Sequence, residues 1–278
     1  MNDPKPFLKW AGGKRRLLHQ IAPILPKRIQ TYYEPFLGGG ALFFHLAGQR
    51  RFERAVLSDI NGELIETYRI VRDELDELID ALEVHAAFAT SAEYYYAVRA
   101  QKPEELSAIM RAARFLFLNR TCFNGLYRVN RSGQFNVPYG KYKRPNVVNA
   151  DVLRAASKAL QGTTLIEGDF ETTVATATRG DAVYFDPPYI PASPTASFTA
   201  YYAKNFGPPD HMRLLETYRM CGRRGVDAIL SNTDVPTTRW LYAGLQFKTV
   251  QAPRTINAVA TKRGPVNELL VVGFREAA

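Results

Sequence analysis

Short apolar runs and helices with one apolar face alternate along much of the chain, and this pattern predicts the fold. Apolar residues recur at helical spacing over residues 17–25, which predicts a first helix that ends at Pro26. Residues 31–34 form a strand-like run, and an apolar helix follows it. A second such run, residues 55–58, precedes a helix that begins at Asn61. This order is typical of βαβ units, which form a parallel sheet with helices on both faces.

The same alternation returns in the second half of the chain. There we predict five further strands, at residues 163–167, 182–185, 226–230, 247–251 and 269–274. Helices are expected over residues 211–221 and near Trp240, whereas residues 190–209, rich in Pro, Ser and Thr, are expected to form a flexible connection. The closing pair of strands adds an antiparallel strand near the C-terminus of a mostly parallel sheet.

The middle of the chain has a different pattern. Residues 73–118 are mainly helical, with one apolar stripe around Leu78. From 120 to 145 the helical period fails, and residues 130–133 have the sequence of a hairpin turn. The sequence therefore predicts an α/β domain made of residues 1–60 plus 150–278. A mostly helical insertion, residues 61–149, interrupts it and carries a β-hairpin at about 120–140.

Composition excludes several classes of protein. Of the 278 residues, 46% are hydrophobic and 23% are charged, as in ordinary globular proteins. Two distant cysteines, Cys122 and Cys221, argue against a disulfide framework or a thiolate zinc site and fit a reducing cytosol. No apolar run approaches the roughly 18 residues of a membrane span, and the first residues lack a signal-peptide core. We therefore expect a cytoplasmic protein that binds no membrane and no metal.

The positive charge is concentrated in two segments. The formal net charge is +9, and residues 1–30 contribute +6, with seven basic residues against one acid. Residues 106–150 contribute +8, with no acid, and aromatic residues such as Phe123 and Tyr142 are interleaved with the basic ones. Such a segment can neutralise phosphates and stack on bases, so it is a candidate nucleic-acid surface. A solvated face is the alternative, and charge alone does not separate the two.

Candidate ligand residues lie where predicted strands end, the edge at which open parallel sheets bind ligands. A glycine turn, residues 36–40, follows the first strand, and Asp59 follows the second, where a carboxylate can bind a ribose diol. The turn lacks the GxGxxG spacing of dinucleotide sites, which disfavours NAD. Asp169 follows the third strand, where it is either the N-cap of a helix or an acceptor for an adenine amine.

The sequence Asp186-Pro187-Pro188-Tyr189 follows the fourth strand and is poorly suited to continuing it. The carboxylate of Asp186 and the carbonyl of Pro187 can together accept both hydrogens of an amino group. Tyr189 offers a ring on which a base can lie. An aromatic amine is a poor nucleophile because its lone pair is delocalised into the ring, and this arrangement localises the lone pair. The motif therefore predicts attack by an exocyclic amine.

Several segments together resemble the Dam-type family of DNA adenine-N6 methyltransferases, in the order in which the target-recognition region precedes the Asp-Pro-Pro-Tyr motif. The resemblance spans nearly the whole chain, and its motifs lie at residues 9–14, 34–40, 58–61, 119–140, 168–170, 186–189, 254–256 and 266–270. It implies a Rossmann-like methyltransferase sheet. It also implies transfer of a methyl group from S-adenosylmethionine to adenine N6 in double-stranded DNA, with a flipped target base and no metal.

The resemblance also implies roles for individual residues. The cofactor would contact Trp10, Lys14, Phe36, Gly38, Gly40, Asp59, Asp169, Phe170 and Asp186. The catalytic motif would be Asp186, Pro187, Pro188 and Tyr189. DNA would be bound through Arg120, Phe123, Asn124, Leu126, Arg128, Asn136, Pro138 and Lys141, with Phe123 as an aromatic wedge and a GATC-like target. We expect the protein to act as a monomer.

Two other interpretations stay open at this stage. The same motif can hold any exocyclic amine, so the acceptor can also be cytosine N4 or an adenine in RNA. Alternatively, the chain is a DNA-binding protein that has lost catalysis, which an intact motif at 186–189 argues against. A cysteine nucleophile is disfavoured because neither cysteine lies in a Pro-Cys loop, and the four histidines have no metal-ligand spacing.

Overall fold

Seven strands form one sheet in the order β3-β2-β1-β4-β5-β7-β6. The computed structural model describes residues 3–191, 206–252 and 266–273. Five strands run parallel, and β7 is antiparallel to both of its neighbours. The predicted mostly parallel sheet with an antiparallel strand near the C-terminus is therefore confirmed. The strands are β1 (Ile29–Glu34), β2 (Phe52–Asp59), β3 (Thr164–Glu167), β4 (Ala182–Phe185), β5 (Asp227–Thr233), β6 (Phe247–Ala252) and β7 (Val266–Val272).

Helices cover both faces of this sheet, and the side chains of β4 are accordingly buried on both sides of it. Ala182 and Tyr184 point into one buried cluster, whereas Val183 and Phe185 point into a second cluster on the opposite face. Successive side chains of a strand alternate between faces, so a strand buried on both sides is apolar throughout. The helices are α1 (Leu18–Ile21), α2 (Ala41–Gly48), α3 (Gly62–Asp73), α4 (Leu75–Ala86), α5 (Ala92–Ala100), α6 (Ala108–Thr121), α7 (Ala150–Leu160), α8 (Phe170–Thr173), α9 (Pro208–Arg223) and α10 (Pro236–Leu241).

The predicted helical middle of the chain is present as α3 to α6, with three polar N-caps at Asn61, Ser91 and Ser107. Their apolar faces share one buried cluster with α2, α7 and one face of the sheet. The division into a catalytic domain and an insertion remains a prediction, because this cluster is continuous across the proposed boundary.

The predicted helix over residues 17–25 is wrong in its extent. Only Leu18–Ile21 is α-helical, and short 3₁₀ turns lie on either side of it. Pro23 lies in the second of these turns, and a proline has no backbone N–H to donate to the preceding helical turn.

Residues 120–140 form an irregular hairpin rather than two full strands. Isolated bridges join Cys122 to Tyr139 and Val129 to Phe135. At the tip, the backbone N–H of Asn130 donates to the carbonyl of Gln134 over 2.8 Å, as expected for a turn in this segment. Val137 ties the hairpin to α5, because its carbonyl accepts from the buried hydroxyl of Tyr95 at 2.8 Å.

Some sequence predictions fall outside the residues that the structure describes, namely most of 190–209, residues 254–256 and the end of the last predicted strand. Cys122 and Cys221 are both buried and unpaired. Among the described residues, none of the helices combines the length and the apolar character needed to cross a bilayer.

Candidate active site and nucleic-acid interface

The candidate site lies at the carboxyl edge of the sheet, between β1 and β4. From β1 the chain continues outward to β2 and β3, whereas β4 leads to β5 on the other side. The loops that follow two such neighbouring strands diverge and leave a crevice between them. The loop after β1 carries the glycine turn, and the loop after β4 carries Asp186. The predicted motifs therefore meet at one place.

The glycine turn is held by the predicted ribose-binding carboxylate. Gly38 and Gly40 have positive φ angles of 47° and 63°, a conformation that favours glycine. The backbone N–H of Gly38 donates to Oδ2 of Asp59 at 3.0 Å, and the N–H of Asn61 donates to Oδ1 of the same carboxylate at 3.0 Å. Tyr68 donates from its hydroxyl to the carbonyl of Gly38. Burial raises the pKa of Asp59, although these backbone donors oppose the shift.

Trp10 covers the glycine turn and connects it to the hairpin. A Cβ atom on Gly38 would lie only 2.7 Å from the indole, so the ring packs directly against that backbone. On its other side the indole stacks on Tyr127, with ring centroids 5.5 Å apart. Phe115 on α6 contacts both rings. The predicted cofactor-binding and DNA-recognition segments therefore share one aromatic stack.

Phe36 and Phe170, both predicted to contact the cofactor, stack on each other with centroids 5.5 Å apart. Asp169 is the N-cap of α8, because Oδ1 accepts from the backbone N–H of Glu171 at 2.9 Å. The same oxygen accepts from the guanidinium of Arg213 at 2.9 Å. The capping role of Asp169 is therefore confirmed, and its contact with an adenine remains a prediction.

Asp186 is paired with a buried lysine. Nζ of Lys14 lies 2.9 Å from Oδ1 of Asp186 and donates to the carbonyl of Gly12 at 2.6 Å. Burial raises the pKa of Asp186 to about 6, although the charge of Lys14 opposes this rise. A carboxylate with this pKa is mainly ionised at neutral pH and can still exchange a proton there.

Tyr189 is fixed at both ends by residues that the sequence analysis did not select. Its hydroxyl donates to Oε2 of Glu268 on β7 at 2.7 Å. The backbone N–H of the next residue, Ile190, donates to Oδ1 of Asn232 at the end of β5. The ammonium of Lys14 lies 4.7 Å from the centroid of the Tyr189 ring, a cation–π contact. Glu268 lay inside a motif of the resemblance, but only the pairing of β7 brings it to the site.

A third acid, Glu34, ends β1 beside the site and was also not selected. Its Oε2 accepts from the hydroxyl of Tyr32 at 2.8 Å and from the backbone N–H of Phe43 at 3.0 Å. Burial raises the pKa of Glu34 to about 8, and the neighbouring charge of Asp186 acts in the same direction. Glu34 is therefore mostly protonated at neutral pH.

In the hairpin, the predicted wedge residue is exposed. Phe123 has 50% of its side chain accessible, which is unusual for a phenylalanine, and its backbone N–H donates to the carbonyl of Pro138 at 2.8 Å. Asn124 next to it has a positive φ of 56°. Pro138, Asn124 and Lys141 are exposed, whereas Leu126 is half-buried.

Two arginines predicted to bind DNA have partners within the chain. Arg128 is exposed, and its Nε donates to Oδ1 of Asn136 across the hairpin at 2.7 Å. Both residues were predicted to bind DNA, and the hairpin holds the two side chains together. Arg120 is half-buried and donates to the backbone carbonyl of Phe7. Its guanidinium thus connects the hairpin to the N-terminal segment.

The basic segment 106–150 is less basic at its surface than its sequence suggests. Arg111 forms two 2.6 Å hydrogen bonds with Glu66, and the buried Arg114 lies 3.9 Å from Glu63, both acids being on α3. The cations that stay exposed cluster on the hairpin and just after it: Arg128, Arg131, Lys141, Lys143 and Arg144. The described residues contain no group of three or more His, Cys, Asp or Glu side chains that could hold a metal ion.

Comparison with known proteins gives consistent relatives over nearly the full length. A family model described as D12 class N6 adenine-specific DNA methyltransferase matches residues 10–256. The chain is 41% identical to the type II methyltransferase M1.LlaDCHI of Lactococcus lactis subsp. cremoris, over 97% of this chain and 95% of that protein. It is 41% identical to the type II methyltransferase M.MjaIII of Methanocaldococcus jannaschii, over 98% of this chain and 100% of that protein. It is 37% identical to the DNA adenine methylase of Escherichia coli K12, over 98% of this chain and 96% of that protein.

The sheet order, with β7 inserted antiparallel between β5 and β6, and the crevice at its carboxyl edge define a Rossmann-like methyltransferase. The chain belongs to the D12 class of N6 adenine-specific DNA methyltransferases, and it is an adenine-specific DNA methyltransferase. The family inferred from the motifs is thus confirmed.

Proposed function

We propose that this enzyme binds duplex DNA as a monomer, extrudes an adenine at a GATC-like sequence, and methylates its N6 atom with S-adenosylmethionine as methyl donor. The observation that carries the proposal is the arrangement at the end of β4. There Asp186 is ionised beside a buried lysine, and the ring of Tyr189 is held next to it. A cytoplasmic location fits a DNA substrate and two unpaired cysteines.

The residues around the crevice fit an adenosine-bearing cation. The backbone of the glycine turn can be approached closely beside the indole of Trp10. Asp59 offers carboxylate oxygens for a ribose. The stacked rings of Phe36 and Phe170 form an aromatic wall. Among the described residues near the reacting position, the carboxylates of Asp186 and Glu268 face one ammonium, Lys14. Two negative charges against one positive charge leave a formal charge of −1, which suits a sulfonium. When bound, S-adenosylmethionine supplies an electrophilic methyl group on that positively charged sulfur.

Asp186 and the carbonyl of Pro187 would orient the target amine. Each accepts one N6 hydrogen, which keeps the nitrogen lone pair out of the ring and directed at the methyl group. Tyr189 stacks on the extruded base. Positioning of this kind is worth roughly 7–11 kcal/mol of the activation barrier. After transfer the methylated nitrogen must lose a proton, and a carboxylate with a pKa of about 6 can accept it and release it to water.

The hairpin supports the DNA half of the proposal. Phe123 is exposed where a wedge would enter the base stack, and extrusion costs a few kcal/mol that such a wedge would offset. Arg128, held by Asn136, has a guanidinium that can bind a guanine edge, worth roughly 1–3 kcal/mol of discrimination. The exposed cations that flank the hairpin would bind phosphates.

Replacing Asp186 by Ala tests the proposal. Transfer of labelled methyl groups to duplex DNA should be abolished, while affinity for the duplex stays within a few fold. Glu216→Ala, which removes an exposed acid on α9, is the control and should leave transfer unchanged. Transfer by the Asp186→Ala variant at the normal rate would contradict the proposed role.

The acceptor and the site are tested separately. Wild-type enzyme is incubated with mixed-sequence duplex DNA, single-stranded DNA and RNA, and the products are analysed as nucleosides and by methylation-aware sequencing. We expect N6-methyladenine in duplex DNA at GATC-like sites. N4-methylcytosine, or methylation confined to RNA, would contradict the proposal.

A further inference from the structure

Glu268 is brought to the active site by β7 alone, and it contacts two residues of the proposed base pocket. Its Oε2 accepts from the hydroxyl of Tyr189 at 2.7 Å and lies 3.9 Å from Nζ of Lys14. The Glu268 side chain is mostly buried, with 16% of its surface accessible. A second carboxylate beside Asp186 raises the pKa of that residue and is unfavourable for stability. Its presence therefore needs a functional explanation.

The lysine raises a conflict for the proposed mechanism. Nζ of Lys14 lies 2.9 Å from Oδ1 of Asp186, and the Asp186 carboxylate is the group that would accept a hydrogen of the target amine. Ammonium and amine both donate, so the lysine and the target amine would share the acceptor sites of one carboxylate. Lys14 is buried, so its ammonium lies within the site and not in solvent. A second carboxylate within its reach would free Asp186 for the amine when the base enters.

We propose that Glu268 is a positioning residue for methyl transfer: it holds the Tyr189 ring through the hydroxyl and takes over Lys14 when the target amine binds Asp186. The inference rests on the proposed function of the Asp186–Tyr189 pocket. Oε2 of Glu268 is 3.9 Å from Nζ, so a movement of the lysine head by about 1 Å completes the exchange at ordinary ion-pair distance. No charge enters or leaves the site in that exchange.

The neighbouring strand supports the same ring from the backbone side. Oδ1 of Asn232, fully buried at the end of β5, accepts from the N–H groups of Ile190 and Thr233 at 3.0 and 2.8 Å. Tyr189 is thereby fixed at its backbone by β5 and at its hydroxyl by β7. A ring held at both ends loses little freedom when a base stacks on it, which favours catalysis by pre-organisation.

Three variants separate the two parts of this role. In Glu268→Gln, an amide oxygen still accepts from Tyr189, but the charge that attracts Lys14 is lost. In Tyr189→Phe, the charge stays and only the hydroxyl is lost. Glu268→Ala removes both interactions. The matched control is Asn267→Ala, the exposed neighbour on the same strand.

We expect Glu268→Ala to lower kcat by about ten- to hundredfold, a typical cost of misplaced reacting groups. The KM for duplex DNA should stay close to the wild-type value, because an interaction made only in the transition state affects kcat and leaves ground-state binding unchanged. Glu268→Gln and Tyr189→Phe should each lose part of this rate. Combining Tyr189→Phe with Glu268→Ala should cost less than the sum of the two single losses, because the hydroxyl contact with Glu268 is already absent in Glu268→Ala. Asn267→Ala should retain the wild-type kcat.

The pH profile provides a readout that a purely structural role would not change. Among the described residues, the groups that act electrostatically with Asp186 are Lys14, Tyr32, Glu34, Tyr184, Tyr189 and Glu268. Of these, Glu268 raises the pKa of Asp186 and Lys14 lowers it. Removing the Glu268 charge therefore lowers the pKa of Asp186 for two reasons. A neighbouring negative charge is lost, and Lys14 is no longer attracted away from Asp186. In Glu268→Gln, the acidic limb of the kcat/KM profile, which reports the free enzyme, should move to lower pH while the plateau falls.

The outcomes distinguish this inference from the function on which it rests. If Asp186→Ala is inactive while Glu268→Gln and Glu268→Ala match wild type, the role of Glu268 is refuted and the base pocket stands. If Asp186→Ala is active, the pocket itself is refuted. A lower plateau for Glu268→Gln with an unmoved acidic limb would refute the exchange of Lys14. Thermal unfolding of each variant confirms that it is folded.

Discussion

Nζ of Lys14 lies 2.9 Å from Oδ1 of Asp186, so a residue ahead of β1 directly controls the ionisation of the proposed catalytic carboxylate after β4. The lysine lowers the pKa of Asp186 against the stronger effect of burial. The balance leaves that pKa at about 6, close enough to neutrality for proton exchange.

Replacing Lys14 by Gln should move the acidic limb of the kcat/KM profile, which reports the free enzyme, to higher pH. The substitution removes the positive charge that favours the carboxylate, so the pKa of Asp186 rises and more alkaline solution is needed to ionise it. This is the opposite direction from Glu268→Gln. The measurement is kcat/KM against pH, with the exposed Lys5→Gln as control. An unmoved limb in Lys14→Gln would mean that Asp186 does not set it.

Replacing Glu34 by Gln should stabilise the protein increasingly as pH rises. The pKa of Glu34 is raised from 4.5 to about 8, so the folded state binds one more proton than the unfolded state between those values. Wild type therefore loses about 1.4 kcal/mol of stability per pH unit in this window, whereas a glutamine loses none. Chemical denaturation of both proteins at several pH values measures the difference. A difference that does not grow between pH 4.5 and about 8 would contradict the assignment.

Replacing Gly38 by Ala should weaken binding of S-adenosylmethionine by at least about tenfold, or about 1.4 kcal/mol, because the turn must move away from the indole. The new Cβ would lie 2.7 Å from the indole of Trp10, and alanine disfavours a φ of 47°. Gly162→Ala is the control, because its φ is 72° and no atom lies within 4 Å of a Cβ there. Gly162→Ala should lower only the free energy of unfolding, through its unfavourable φ, and should leave cofactor binding unchanged. Calorimetric titration and thermal unfolding separate the two effects.

Replacing Phe123 by Ala should reduce base extrusion without affecting the fold. The exposed ring contributes little to the core, so the free energy of unfolding should change by less than about 0.5 kcal/mol. Tyr127→Ala is the contrast: its buried ring stacks on Trp10, and its loss should cost about 3–5 kcal/mol. Extrusion is measured by the fluorescence of 2-aminopurine placed at the target position. Normal fluorescence with Phe123→Ala would contradict the wedge.

Local sequence was sufficient to identify much of the fold. The strand over residues 182–185 was predicted with the bounds it has, because a run buried on both faces is continuously apolar and Asp186-Pro187 cannot extend it. The cap role of Asp169, one of the two roles that its position before α8 left open, is the one that the structure shows. The first helix was predicted too long because its apolar spacing continued through Pro23, where the missing N–H changes the backbone.

The site was predictable only in part. Asp59 and Asp186 could be found because the end of a predicted strand is itself a structural position. Glu34 and Glu268 could not be selected from the sequence, because nothing distinguishes an acidic residue within a strand until its contacts in the folded structure are known. Likewise, charge counting could not show that Arg111 and Arg114 pair with acids on α3.

The sequence by itself determined the alternation of strands and helices, the family and the motifs at each strand end, because these depend on residues that are close in the chain. Tertiary structure decided which charges meet. Lys14, Asp186 and Glu268 lie on separate segments, and only the pairing of β7 with β5 beside β4 brings them together. Electrostatic interactions depend on distance and burial rather than on sequence order, so the raised pKa of Asp186 and the position of Lys14 follow from the folded sheet.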